Sequence, residues 1–580
     1  MNTKNNSFKV ACIQFNPVLN EREKNIKALF AVIEEAAQQG AKLIITPEMA
    51  TTGYYYKDRK AIASFVDLIP GHTTAFFESL AKSYKTFIVI GMPEQDSETG
   101  LYYNSAALIG PDGYIGKYRK IHLWESEAHW AAIGDLGVPV FETEIGNIAI
   151  NICMDSVFFE SARLAAVQGA NILAFPTNSS SQTISLLQDR AETNGLYVVS
   201  ANRSNCENGH HMVGASAIWS PLGEKVAEAP YIPTPEQSVH EPLILFGTIN
   251  KDLYQNPGKE RLRERRPENY RELMLYIAPW DFTKSTVTEK ITAAIFQTEI
   301  IPLDKKQNLA KHKQLIEETV TNLRQKGNKL DLVVFPELAM TGTVEGIPIE
   351  EIMGLAETVN DIFIKQYRDL AKRWNIHIVL GFLEKEKSLL YNSAIVIDEF
   401  GEVIGHYRKI HLNEEEKRWA TPGEKIEVFD TNSIGRIGIM IGNDAAFPEV
   451  SGILAVKRAD TIIIPSNWYG EFGKEREINK NVSVNLYPEG ALTTWDAIAL
   501  GNQAYVLVAN SIKKERTVGG RSGMYTIDPL YGLDQPVIAA NNNEESLIVN
   551  YETLQSDWWI NQEKVIALRQ TRDYKPLVLF

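Results

Sequence analysis

Tyr118-Arg119-Lys120-Ile121-His122-Leu123 occurs twice in this chain, returning unchanged as Tyr407-Arg408-Lys409-Ile410-His411-Leu412. Upstream of each copy an apolar run ends in Pro-Glu, at Pro47-Glu48 and at Pro336-Glu337. Downstream, a second apolar run ends in Ile152-Cys153-Met154-Asp155 in the first copy and in Ile441-Gly442-Asn443-Asp444 in the second. Residues 48 and 337, 120 and 409, and 153 and 442 are each 289 positions apart. One interval shared by three separated motifs means two repeats of one domain. In the first repeat Glu48, Lys120 and Cys153 supply a base, a cation and a nucleophile. In the second, the nucleophile's position holds glycine.

Length agrees with the repeat. A chain of 580 residues is too long for one ordinary domain, and the motifs divide it into a domain over 1–285 and another over 286–580. Each is large enough for a substantial core. A formal net charge of −14 argues against a general partner for nucleic acid or for an anionic membrane surface. The three cysteines, Cys12, Cys153 and Cys206, are too few and too odd in number for a disulfide framework. Met1 to Lys9 is polar, unlike a signal peptide, and no apolar run approaches the ~20 residues of a membrane helix. A cytoplasmic location is the expectation.

Alternating elements set the fold class. Each half opens on a short apolar strand, Val10–Gln14 or Thr292–Gln297, followed by a helical stretch. A second strand, Leu43-Ile44-Ile45 or Leu332-Val333-Val334, then runs into Pro-Glu, so the glutamate lies at a strand's carboxyl end, where α/β proteins place their chemistry. Asp112-Gly113 predicts a hairpin turn into the Lys120 strand. Ile148–Ile152 predicts a strand and 161–169 a helix, which puts Cys153 on a strand-to-helix turn. The charged runs that close the halves, Arg261–Tyr270 and Leu568–Tyr574, predict solvated terminal segments. The connector falls near Tyr276–Glu289. An insertion over 473–490 predicts a surface loop by the second pocket.

With these motifs the chain resembles the nitrilase, or carbon-nitrogen hydrolase, superfamily over nearly its whole length, once in each half. Phe175-Pro176-Thr177-Asn178 and Ala201-Asn202, with their partners Pro465-Ser466-Asn467 and Ala509-Asn510, fit the same pattern. The resemblance implies an α/β fold of two tandem four-layer αββα sandwiches and no metal or organic cofactor. It also implies a second site glutamate seven residues before a glycine, which is Glu127 before Gly134 and Glu416 before Gly423. Family members commonly pair sandwiches face to face. The expectation is an intramolecular pseudo-dimer of one working and one retired domain, either alone or assembled further as a homo-oligomer.

The chemistry can be reasoned without the name. A thiolate splits amide hydrolysis into two easier steps through a thioester. Glu48 is the expected base, Lys120 the charge facing the oxyanion with a main-chain amide near Met154, and Glu127 the group that holds Lys120 and the substrate amide. His122 reads as structural, because Glu48 already fills the base role. Tyr54, Trp124, His129 and Trp130 are candidate pocket walls, with core packing an equal reading, and Asn178 borders the acyl side. Cys12 reads as a core residue, Cys206 less firmly so.

The departures sharpen the reading. Nitrile-cleaving members carry Trp-Glu after the cysteine, whereas Met154-Asp155 here favours a small linear amide or carbamoyl substrate. The second half has Gly452 where the first has Arg163. Nitrile hydrolysis, acyl transfer through the same thioester, and a non-enzymatic binding role are the alternatives.

Overall fold

The computed structural model describes residues 6–180, 184–238, 241–276, 289–477, 490–513, 515–516, 519–527, 536–540, 543–553 and 560–579. They pack as two units. In the first, one six-stranded sheet has the order Leu243–Asn250, Ser7–Gln14, Ala41–Ile45, Phe87–Gln95, Tyr102–Gly110, Gly113–Arg119. Its three inner strands from Ser7, Ala41 and Phe87 run parallel, and the flanking strands are antiparallel. The other sheet has the order Lys225–Glu228, Ala217–Trp219, Tyr197–Ala201, Ile172–Pro176, Ile148–Ile150, Val140–Phe141, again with a parallel centre.

The two sheets face each other, as when Ser7–Gln14 packs on Tyr197–Ala201. Helices Arg22–Gln38 and His72–Tyr84 cover the outer side of the first sheet. Helices Phe159–Val167 and Leu187–Asn194 pack together beside the second. This is the four-layer αββα sandwich. Strands buried on both faces must be apolar throughout, which Leu43-Ile44-Ile45 satisfies with no exposure. The helix on the outside needs only one apolar stripe, and Arg22–Gln38 buries Ile26, Leu29, Ile33, Ala36 and Ala37 at helical spacing.

The second unit repeats the design. Its sheets run Val403–Arg408, Leu389–Ile397, His377–Glu386, Leu332–Val334, Lys290–Gln297, Glu545–Glu552, and Val428–Asp430, Arg436–Ile439, Thr461–Ser466, Tyr505–Asn510, Gly523–Tyr525, Val537–Ile538.

The units differ from the sequence halves 1–285 and 286–580 at their tails. By packing, the first unit runs to Glu264 and also takes in Glu477 and the chain from Leu568, and the second begins at Arg265 and otherwise runs to Ala567. The closing charged runs are therefore anchored at particular residues rather than solvated throughout, although Arg263, Glu264, Glu268 and Arg572 are exposed. Tyr270 and Tyr574 are fully buried. Arg265 pairs with Glu449 at 2.6 Å within the second unit, and Arg569 with Glu160 at 3.3 Å within the first, all four side chains being buried. Interleaved acids suggested solvation, but Arg265 and Arg569 instead each answer a buried glutamate far away in sequence.

Residues 478–489 of the predicted surface insertion, and 277–288 of the connector, lie outside the described residues. The insertion's start is anchored: Glu475 pairs with Arg521 and Arg476 with Asp496, while the main-chain N–H of Glu477 donates to Gln188 within the first unit.

Candidate active site

Three strand ends build the site. Glu48 follows Ala41–Ile45, Lys120 follows Gly113–Arg119, and Cys153 follows Ile148–Ile150 on the facing sheet. Gly91 lets the Pro47-Glu48 turn lie against its strand, since a Cβ there would come within 2.8 Å of Glu48 Cα. Gly381 does the same for Glu337.

Glu48, Lys120 and Glu127 are fully buried and joined. Lys120 Nζ donates to Glu48 Oε1 and to Glu127 Oε2, each at 2.7 Å. Asn104 Nδ2 donates to Glu48 Oε1 at 2.7 Å and also to Glu127 Oε1. Burial works to lower the lysine, but the charges of Glu127 and Glu48 outweigh it and hold Lys120 well above the ordinary lysine range. Burial, with the Glu48 charge adding and Lys120 opposing, raises Glu127 to about 7. Glu48 Oε2 is buried and has no hydrogen-bond partner among the described residues. That oxygen is left open to accept a proton or a hydrogen bond.

Cys153 adopts φ +46°, a left-handed conformation unusual for a side-chain-bearing residue, and opens the short 3-10 turn Cys153–Ser156. Asp155 fixes that turn. Its Oδ2 accepts from the Ile152 main chain and the Tyr118 hydroxyl, and its Oδ1 from the main-chain N–H of His122, with the His122 ring Nδ1 at 2.8 Å. The His122 ring stacks on Phe158 at 3.8 Å. His122 thus serves the scaffold.

The sulfur lies 3.7 Å from Ser179 Oγ, with the Thr177 side chain and the Asn178 main chain also hydrogen-bonding to it. Burial and the Glu48 charge push its pKa up to about 12, against the pull of Lys120. The raised pKa favours the thiol form of Cys153 at rest.

The expected pocket walls divide. Tyr54 is buried, and the charges of Glu127, Glu48 and Cys153 all bear on its phenol. It shares an apolar cluster with Leu123, Trp130 and Met212, against which the half-buried Trp124 packs. The Trp124 main-chain N–H donates to Glu127 Oε2 at 2.6 Å. Met154 is buried in the Cys153–Ser156 turn. Asn178 is buried, and neither its Oδ1 nor its Nδ2 has a partner among the described residues. His129 is exposed rather than part of a wall. Cys12 is buried in the core and Cys206 exposed.

Asn104 and Asp155 are the residues to which sequence reading gave no role. The signal was present, since Asn104 and Asp155 each recur, as Asn392 and Asp444, but spacing alone does not reveal what a side chain bridges. Among the described residues no group of His, Cys, Asp and Glu is arranged to hold a metal ion. No helix among them is long and apolar enough to cross a membrane.

The carbon-nitrogen hydrolase family model matches residues 9–236 and again 292–557, and the chain belongs to that family. It is a tandem member, a C–N hydrolase whose second copy carries Gly442 in the cysteine's place. A protein of Pyrococcus abyssi named nitrilase is 37% identical over 264 residues, covering 45% of this chain and 98% of the relative. The omega-amidase NIT2-B of Xenopus laevis is 31% identical over 241 residues, covering 38% and 84%. A citrullinase of Francisella tularensis is 31% identical over 294 residues, covering 46% and 98%.

Proposed function

We propose that the first unit hydrolyses a small linear amide or a carbamoyl compound through a thioester on Cys153. The observation that carries this is the buried Glu48–Lys120–Glu127 cluster with one unpartnered carboxylate oxygen, its charges acting on a buried thiol. Glu48 takes the thiol proton as sulfur bonds to the carbonyl carbon. The oxyanion forms near the ammonium of Lys120 and the main chain at Met154, and a preorganised donor of this kind contributes about 3–4 kcal/mol. The C–N bond then breaks as Glu48 passes its proton to the leaving nitrogen. Water, deprotonated by Glu48, cleaves the C–S bond, and the thiol recovers a proton. Glu127 holds Lys120 throughout.

In this reading Tyr54, Trp124 and Met154 wall the pocket, and the unpartnered carboxamide of Asn178 meets the polar part of the acyl group. The names of the omega-amidase and citrullinase relatives support amide and carbamoyl substrates. A nitrile substrate is the second reading, favoured by the relative named nitrilase. The same acyl group offered as amide and as nitrile separates the two, with ammonia release as the readout. Faster release from the amide upholds the proposal; release from the nitrile alone overturns it. An exposed free thiol at Cys206 supports a reducing, cytoplasmic setting.

A further inference from the structure

The last segment of the chain belongs by sequence to the second repeat and by packing to the first unit. Two of its arginines end on the framework of the first site. Arg569 Nε reaches Glu160 Oε1 at 3.3 Å, both side chains being 4% exposed. Glu160 lies in the first turn of helix Phe159–Val167, directly after the nucleophile turn, and the short helix Lys575–Val578 packs on that same helix. Arg572 donates to the carbonyl of Gly134. The N–H of Gly134 in turn donates to the carbonyl of Lys120 at 2.8 Å, and the residue lies too close to the Arg119 main chain to accept a Cβ. One segment therefore braces the cysteine from behind its helix and the lysine from behind its main chain.

The second unit holds a mirror of this arrangement, made by the segment that closes the first repeat. Arg265 pairs with Glu449, Arg266 Nη1 donates to the carbonyl of Gly423 at 2.9 Å, and the N–H of Gly423 donates to the carbonyl of Lys409. That brace supports a site without a nucleophile.

Resting on the thioester reading above, we propose that Arg569 and Arg572 are positioning residues for Cys153 and Lys120, so that the end of the second repeat sets the turnover of the first. Neither touches substrate. The buried Arg569 holds the helix behind the cysteine turn and the exposed Arg572 the main chain behind Lys120, and a shift of about 1 Å at a reacting group can cost up to about a hundredfold in rate.

The mirrored braces supply the test. Full-length Arg569→Ala and Arg572→Ala are compared with Arg265→Ala and Arg266→Ala, all in a Cys206→Ser background. The probe is p-nitrophenyl acetate, an activated ester that acylates a catalytic thiol whatever the preferred amide. Thermal midpoints are measured alongside kcat and KM. The expected result is a similar fall in midpoint for both pairs. The expected kcat loss, about tenfold or more with KM little changed, is confined to the Arg569 and Arg572 variants, and Arg569→Lys and Arg572→Lys recover part of it. Should an alanine variant not fold, the lysine variants carry the same comparison. Equal midpoint losses with kcat unchanged in all variants overturn the proposal and leave the tail a stabilising element only. Turnover that survives Cys153→Ala instead overturns the thioester reading, a separate outcome.

Discussion

The two sites share a charged cluster and differ in one carboxylate oxygen. Lys409 Nζ donates to Glu337 and Glu416 at 2.7 Å each, and Asn392 bridges the same two carboxylates, repeating the first site residue for residue. In the first site Glu48 Oε2 is unpartnered, whereas in the second Glu337 Oε2 accepts the main-chain N–H of Asn467 at 2.9 Å. That same oxygen would lie 2.6 Å from a Cβ built on Gly442. The glutamate fills the place where the thiol would stand. The backbone has not changed, with φ +46° at Cys153 and +45° at Gly442. The comparison teaches that the cluster is what the fold must satisfy once a lysine is buried. The sulfur and the open oxygen are what the proposed chemistry adds.

Exchanging the two residues is the sharpest way to break this comparison. Cys153→Gly should remove turnover by on the order of 10⁴-fold or more. It should leave stability within about 1 kcal/mol, because relief of the left-handed conformation offsets the lost packing. Gly442→Cys in that background should restore nothing and should destabilise by about 1–3 kcal/mol, since the new side chain meets Glu337. Ammonia or nitrophenolate release and urea unfolding measure the two sides. Turnover from the second unit after this one substitution would show that Glu337 leaves its place readily.

The lysines come next in size. Lys120→Met and Lys409→Met should each cost about 3–5 kcal/mol of stability, because each strands two buried carboxylates. Only Lys120→Met should also lower kcat, by about 10²–10³-fold. Unfolding midpoints together with steady-state rates decide it. An equal rate loss from both would mean that the second cluster acts on the first site, which the likeness of the two clusters alone does not require.

Much of this was legible in the sequence because the repeat is periodic and the motifs sit at strand ends. Pro47-Glu48 and Ile152-Cys153 fall where apolar strands stop, and the α/β class follows from apolar strands alternating with helical stretches, whereas the four-layer sandwich was what the resemblance to the carbon-nitrogen hydrolase superfamily implied. What sequence could not give were contacts between distant residues. Arg569 looks like a surface arginine until Glu160 is seen beside it, 409 positions away. Asn104 reads as a strand residue until its carboxamide is found between two glutamates. The loss of the cysteine from the second copy was legible from Gly442. The movement of Glu337 into the gap was not, since nothing in residues 336–338 records a side chain's direction.

The smallest effect concerns protons, and it separates the sites in a different way. Glu127 in the first unit and Glu337 in the second are each raised to about 7, burial being the first cause in both. A carboxyl raised on folding binds a proton in the native state at a pH where the unfolded chain has already released it. Its contribution to stability therefore grows as pH falls from about 7 toward about 4.5, and is lost again as pH rises through 7. Both units should show this. The rate should move the opposite way, and only through the first unit. A proton on Glu127 leaves Lys120 bound to Glu48 alone and ties up the base, so kcat/KM should fall below pH 7, approaching tenfold per unit. Glu337→Gln should then flatten part of the pH dependence of unfolding and leave the pH–rate profile where it was. A profile that shifts with Glu337→Gln would make the second cluster a partner in the first site's titration. An acid limb that stays in place in Glu127→Gln would assign the titrating proton to another group.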